Sequence, residues 1–399
     1  HWYLQAATSA RGRWQMADAA TAYAAAAAAL DRPADRAAAC AAWCEAARCA
    51  LWANREPAAR VALDAAGPLA RSDVEHAGLQ ALQTAWLFNL RQLGDAVAAA
   101  TTLVDALEAC ADALPAAELV YGVRAVASLV PHGVGVARAL ALADRARERA
   151  DLGDSAAMLR SVRAGLLQWA LRPLEAADDL ALAWRQTQGG VDPGQRFLIG
   201  NQLMRVRHAL GELPAAIEVA QALLQDAAAL QLGVLVQTDV MHVLAMMEVA
   251  SGRAAAGLAR FDTLLQRLEQ GGDTIPDAFI TALALAHMAV GRGDQAAAWL
   301  DRHPARGQNG FMLPDIAWYL TRGKLARHLG EDASPWLSRV SGLEGLPPAL
   351  QLQCEVALAT LRPTPHAALA ALAQRLQGLR MRGLQRSVEA AAARAALAE

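Results

Sequence analysis

The stretch GELPAAIEVAQALLQDA at 211–227 opens on a turn glycine, with Ala216 five residues on, Ala220 four later and Leu223 three later. The same skeleton recurs as Asn54, Ala59, Leu63, Ala66; as Gly94, Ala99, Leu103, Ala106; as Leu171, Ala176, Leu180, Ala183; and as Gly252, Gly257, Phe261, Leu264. Weaker copies start near Gly12, Gly133, Gly291, Gly330 and Arg362. Successive starts lie about 40 residues apart, apart from a last step of about 32. A period held over so much of a chain is the mark of a repeat architecture. A second set of helix breakers falls half a period away: DRPAD at 31–35, ALPA at 113–116, GGVDPG at 189–194, GGDTIPD at 271–277 and GLEGLPP at 342–348. Each unit is therefore expected to be two helices of roughly 12 to 18 residues, with a tight turn inside the hairpin and a looser loop after it.

One hairpin cannot bury its own apolar stripe, so consecutive hairpins must stack. The ladder predicts an all-α, right-handed superhelical solenoid of about ten antiparallel helix pairs, forming a single repeat domain over residues 1–399 and capped by the polar-sided segment 381–399. Composition agrees. Alanine, roughly a quarter of the 399 residues, favours helix and lets helices approach closely, while β-branched and aromatic residues are too sparse for large sheets.

Charge and cysteine usage narrow the partners. Arginine carries almost all the positive charge, Lys324 is the only lysine, and the formal net charge is −2, without the basic surplus of a duplex-binding domain. Direct nucleic-acid contact by this segment is not expected. The charges alternate in sign, as in DRARERAD at 144–151, the pattern of a solvated helix face. Five cysteines do not make a secreted disulfide framework and fit a reducing cytoplasm. The most apolar stretches are interrupted by Arg124 and Arg138, and by Asp239 and Glu248, so no membrane association is expected. The chain opens at His1 without a basic-then-apolar leader, as a piece of a longer protein would.

The Gly-x4-Ala-x3-(Leu/Phe)-x2-(Ala/Leu) skeleton resembles the second helix of a tetratricopeptide (TPR) repeat and the turn before it. Trp43 and Tyr319, each 11 residues ahead of its turn, stand where that repeat's first helix carries a large aromatic. The period of about 40 is longer than the tetratricopeptide spacing of about 34. That longer period is similar to the helical repeats of MalT-type transcriptional activators and related multidomain signalling ATPases of bacteria. The opening HWYLQAA and the following RGRWQMADAATAYAAAAAAL also look like the start of the repeat region behind the ATPase module of such proteins and of some nucleotide cyclases.

Catalytic motifs are weak. A phosphate-cradling loop needs Gly-Lys-Ser/Thr, whereas the lone lysine sits in RGKL. GVGVAR from Gly133 and GRGDQA from Gly291 occupy the turn slot of the ladder and lack the preceding strand of a dinucleotide fingerprint. GDSAA at 153–157 lacks the second glycine of a nucleophile elbow. Cys40, Cys44 and Cys49 share one helix without the paired spacing of a zinc site and read as small core residues. No catalytic, cofactor or metal site is therefore expected. The ten tryptophans read as packing knobs.

Tetratricopeptide resemblance implies that the first helix of each hairpin lines a concave groove, at about 13, 10, 6, 3 and 2 residues ahead of its turn. In the middle of the chain this selects Leu198, Asn201, Arg205, His208 and Ala209, then Asp239, His242, Met246, Val249 and Ala250. Asn201, Arg205, His208, Asp239, His242 and Met246 are the candidate binding residues. Arg48, Thr84 and Arg91, and later Lys324 and Arg327, fall in equivalent slots and give the groove a positive lean. The expected function is a non-catalytic binding module: a sensor or scaffold arm of a cytoplasmic signalling ATPase or transcriptional regulator, taking a protein, a peptide or a small ligand, with acidic partners favoured. A free-standing interaction scaffold is the alternative, and an enzyme with an unrecognised site the third.

Overall fold

The computed structural model describes residues 2–30, 32–188, 193–229, 234–271, 275, 277–304, 313–341, 343, 346–361, 364 and 366–398. Among these the chain is helical throughout, without strands. The helices are α1 (Trp2–Gly12), α2 (Met16–Ala28), α3 (Arg36–Trp52), α4 (Glu56–Ala66), α5 (Asp73–Asn89), α6 (Leu93–Cys110), α7 (Ala116–Leu129) and α8 (Val136–Arg147). They continue as α9 (Ser155–Trp169), α10 (Pro173–Gln186), α11 (Pro193–Ala209), α12 (Leu213–Ala229), α13 (Val234–Ala250), α14 (Ala254–Gly271), α15 (Asp277–Ala289) and α16 (Gly293–Arg302). The last are α17 (Leu313–Leu329), the four-residue α18 (Ser334–Leu337), α19 (Pro348–Leu361), α20 (His366–Gly378) and α21 (Arg382–Ala398). None among the described residues is long and apolar enough to cross a membrane.

The hairpin turns share one chemistry. Trp14, Asn54, Arg91, Gly133, Leu171, Gly211, Gly252, Gly291, Gly330 and Arg380 all have φ between 53° and 118°. At each, the turn residue's N–H reaches the carbonyl three back and the next N–H the carbonyl five back from itself, as in Gly211 to His208 (2.9 Å) and Glu212 to Arg207 (2.8 Å). This double closure satisfies two orphan carbonyls at the helix end. Among the described residues ten hairpins result, with α19 standing between the ninth and the tenth, in keeping with the about ten pairs expected from the ladder.

The ladder is correct in period and displaced at two anchors. The first turn is at Trp14, not Gly12, and the third is at Arg91, not Gly94. The start expected at Arg362 lies outside the described residues, and the last turn is at Arg380. With Arg91 as anchor, the skeleton reads Ala96, Ala100 and Leu103, all fully buried, whereas Ala99 is only half-buried. The alanine five residues after the turn is fully buried in hairpin after hairpin: Ala19, Ala59, Ala96, Ala176, Ala216 and Ala296. Only a small side chain lets the second helix lie this close to its neighbours. Gly257 holds that slot after Gly252, where a Cβ would come within 2.8 Å of the Ala245 carbonyl oxygen.

Contacts divide the chain into two compact units, residues 1–166 with 182–196, and residues 167–181 with 197–399. In the first, α1 to α5 enclose a core of alanines with Met16, Tyr23, Leu51, Leu63 and Leu82, edged by Trp14 and Trp52 in a T-shaped contact at 5.4 Å. Cys40 and Cys49 are buried there, and burial pushes the Cys49 thiol up to about 12, consistent with packing rather than reactivity. In the second unit Phe261 and Phe279 centre a cluster of α13 to α15, and Val388, Ala391 and Ala392 of α21 pack against α19 and α20.

A capping box starts α5: the Glu75 N–H donates to Ser72 Oγ (3.2 Å), and the Glu75 carboxylate accepts from the N–H groups of Arg71 (2.8 Å) and Ser72 (3.0 Å). These bonds, with Arg36, lower the Glu75 carboxyl from 4.5 to about 2. A depressed folded-state value stabilises the fold above pH 4.5, and that contribution fades as pH falls through 2. Glu75→Gln is expected to cost about 1 kcal/mol at pH 7 and only a small part of that at pH 2. Urea unfolding at the two pH values measures it; an equal cost at both would show that the charge is not involved.

Candidate functional site

Two adjoining cavities of the first unit are lined chiefly by first helices of successive hairpins. The smaller, about 230 Å³, lies between Leu51, Trp52 and Asn54, Phe88 and Asn89 of the second and third hairpins, and Tyr121, Arg124 and Ser128 of α7. The larger, about 550 Å³, shares Trp52, Tyr121 and Arg124 and adds Trp14, Met16, Arg48, Val120 and Met158 among its walls.

The groove rule explains why these side chains meet. Counting back from Asn54 gives Arg48, Leu51 and Trp52; counting back from Arg91, the true turn, gives Ala85, Phe88 and Asn89. In the fourth hairpin α7 ends at Leu129, four residues before Gly133, with a 3-10 turn at Val130–His132 between them, whereas the other first helices end one or two residues before their turn. Shifting its register by one brings Tyr121, Arg124 and Ser128 into the same slots. Sequence reasoning missed Arg124 for that reason.

The charges on this face are unevenly matched. Arg48 bonds both Glu118 oxygens at 2.7 and 2.6 Å, bonds Glu45 at 2.7 Å, and lies 4.7 Å from the Tyr121 ring centre. Desolvation opposes its charge, but Glu118 and Glu45 outweigh it and raise its pKa. Arg11 also pairs with Glu45, at 2.7 Å. Arg124 is half-buried, its guanidinium 4.0 Å from the Trp52 ring centre, and no carboxylate among the described residues pairs with it. Burial, only partly offset by Tyr121, pulls its pKa below the ordinary arginine value.

Thr84 and Arg91, selected as groove residues, are not. Both were counted from Gly94; Thr84 is fully buried with its hydroxyl on the Gln80 carbonyl (2.8 Å), and Arg91 is the left-handed turn residue itself. Arg48 does line the larger cavity. Lys324 is exposed on α17, and Arg327 donates to the Leu361 carbonyl at 2.7 Å.

In the second unit, α11 brings three of the selected residues together. Exposed Arg205 donates to the Asn201 side-chain oxygen at 3.2 Å, and half-buried His208 is pulled below its ordinary pKa by burial and by the Arg205 charge. On α13, His242 is 7% exposed, its ring 6.2 Å from Phe261 and 6.1 Å from Phe279, and Met246 packs against the same aromatic cluster. Asp239 belongs to α13, but its side chain lies outside the described residues.

The turn slots held against catalytic motifs are turns: Gly133 and Gly291 have φ of 118° and 75°, and Gly153, in GDSAA, 46°. The tryptophans are more than knobs, for arginines cover the rings of Trp52, Trp86, Trp184, Trp299, Trp318 and Trp336 at 3.8 to 5.6 Å.

No protein-family model matches the chain, and a search of curated proteins finds no match. Solved structures do match. A Rap protein crystallised in complex with competence and sporulation factor superposes with a TM-score of 0.57 at 11% identity, covering 90% of this chain and 99% of that one. The apo form of RapI gives 0.52 at 9% identity, covering 88% and 97%. At such identities the likeness is one of fold, and the fold is that of a TPR-like helical-repeat protein.

Proposed function

We propose that the chain is a non-catalytic binding module that takes a peptide, or an exposed segment of a protein, on the face made by its first helices. The observation that carries this reading is the pair of adjoining cavities walled by Trp52, Phe88, Tyr121 and Trp14, with polar groups between the rings. Aromatic walls with a few placed polar groups are the general make-up of a site that binds and orients a ligand without reacting with it. The Rap protein of similar fold, solved with competence and sporulation factor bound, supports a binding role for this architecture. The patch of Asn201, Arg205 and His208 on α11 is a second polar surface, suited to an acidic partner. As a sensor or scaffold arm, the module would serve a cytoplasmic signalling ATPase or transcriptional regulator, the setting implied by the MalT-type resemblance of its period and opening residues.

Amide hydrogen exchange tests the reading. Incubation with an equimolar pool of synthetic hexapeptides is expected to slow exchange in α3, α5 and α7. Protection confined to α4, α6 and α8, or no protection at any concentration up to the millimolar range, would remove the cavities from the function.

A further inference from the structure

We propose that the smaller cavity is a carboxylate subsite, in which the Arg124 guanidinium, held over Trp52, forks onto a carboxylate of a bound acidic peptide. The proposal rests on the peptide-binding reading above and names the chemistry that the site selects.

Charge is the first argument. Arg48 and Arg11 already have Glu45 and Glu118, so neither is available to a ligand without breaking existing pairs. Arg124 has a ring beneath it and, among the described residues, no acid paired with it. A shielded cation without a counter-ion is a standing cost to the folded protein, and an incoming anion removes it.

Geometry is the second. A guanidinium lying over an indole keeps its N–H groups at its rim, and that planar fork matches the two oxygens of a carboxylate. Trp52 belongs to the second hairpin and Arg124 to the fourth, so two separate repeats fix the site. Around it the smaller cavity offers Asn54, Asn89 and Ser128 as neutral polar groups, and no Asp or Glu. Asp154 stands in the lining of the larger cavity alone, carried by the turn before α9.

Size is the third. At about 230 Å³ the smaller cavity falls below the roughly 300–1,000 Å³ of sites that bury a whole drug-sized ligand, and suits one side chain or one chain end. The larger cavity, which shares Trp52, Tyr121 and Arg124 as walls with it and is flanked by Met16, Val120 and Met158, gives room for adjoining apolar residues. A peptide fills both; a small free anion fills one.

The test uses three labelled hexapeptide pools of common background, read by fluorescence anisotropy: amidated with one glutamate, amidated with glutamine in its place, and the glutamine pool with a free C-terminus. At least one carboxylate pool should bind the wild type about 10- to 100-fold more tightly than the amidated glutamine pool, the range for hydrogen bonds to a charged group. Which of the two is favoured tells a side-chain carboxylate from a chain end. Arg124→Gln should reduce the preference to less than about twofold, and Arg124→Lys should fall between, keeping the charge but losing the fork. Arg124→Met should melt no lower than wild type, because it removes an uncompensated cation; a purely structural arginine would lower Tm. Equal binding of all pools to the wild type, or a preference that survives Arg124→Gln, would overturn the carboxylate subsite and leave peptide binding standing. No binding by any pool would overturn both, and displacement of the label by inorganic phosphate with no preference among pools would replace the peptide carboxylate by an inorganic anion.

Discussion

Arg48→Met should destabilise the first unit by about 3 kcal/mol, the low end of the range for removing one partner of a buried ion pair. The Arg48 side chain is 13% exposed, and its carboxylate partners Glu45 and Glu118 are 21% and 26% exposed, so water replaces little of what the substitution removes. Two carboxylates would be left facing each other across the space that the guanidinium filled. Arg11 would still hold Glu45 at 2.7 Å, while Glu118 would lose its bidentate partner. The second-site change Glu118→Gln should therefore recover most of the loss, because a neutral amide in that place needs no cation. Urea unfolding of the wild type, the single variant and the double variant gives the answer, followed by tryptophan fluorescence. A cost below about 1 kcal/mol for the single variant would mean that solvent already screens the pair. Arg124 differs: of these two arginines on one face, Arg48 pairs with two carboxylates and is expected to be indispensable to folding, whereas Arg124 pairs with none among the described residues and is expected to be dispensable to it.

Phe261→Ala should cost the second unit about 3 to 5 kcal/mol, the range for emptying a buried phenylalanine site. Phe261 is fully buried, meets Phe279 edge-to-face at 5.1 Å and 85°, and holds the ninth position after its turn, where the other hairpins carry Tyr23, Leu63, Ala100, Leu180 and Ala220. Its neighbours cannot collapse freely, because Gly257, one turn earlier on α14, already brings the helix close to Ala245 and Val249 of α13. The cavity should stay open. Phe261→Leu, which keeps most of the volume, should cost less than half as much. Equal losses for the two variants would show that the aromatic contacts with Phe279 and His242, rather than the volume, hold the cluster. Either outcome bears on His242, whose 7% exposure between these rings makes it a wall of the core before it can be a wall of a groove.

Much of the architecture was legible from residue types alone. Glycine is the default where φ must be positive, so Gly133, Gly211, Gly252, Gly291 and Gly330 marked their turns, and buried alanines at fixed distances after them marked the second helices. Trp14, Asn54, Arg91, Leu171 and Arg380 adopt the same left-handed backbone without a glycine. A left-handed non-glycine residue costs about 1 kcal/mol or more, and the closed hairpin around it supplies that energy. Where a helical glycine, Gly94, stood three residues past the real turn, the anchor moved to it and with it the predicted face, placing Thr84 toward a groove when it lies in the core.

The site separates along the same line. Periodicity found Arg48 in its slot on α3, because that hairpin's turn at Asn54 was correctly anchored. Arg124 was visible only as an interruption of an apolar run, since the 3-10 turn at Val130–His132 separates α7 from Gly133 and puts the count out of step. Its significance depends on what surrounds it. That Glu45 and Glu118 are spent on Arg48 and Arg11, while Trp52 alone covers Arg124, follows from side chains of distant helices meeting in space. The sequence by itself determined the repeat, its period and its helical class, because these follow from local backbone preference and from apolar spacing along one chain. Only the tertiary structure decided which arginine is left without a counter-ion, because charge compensation is a property of neighbours in three dimensions, and no spacing rule encodes it.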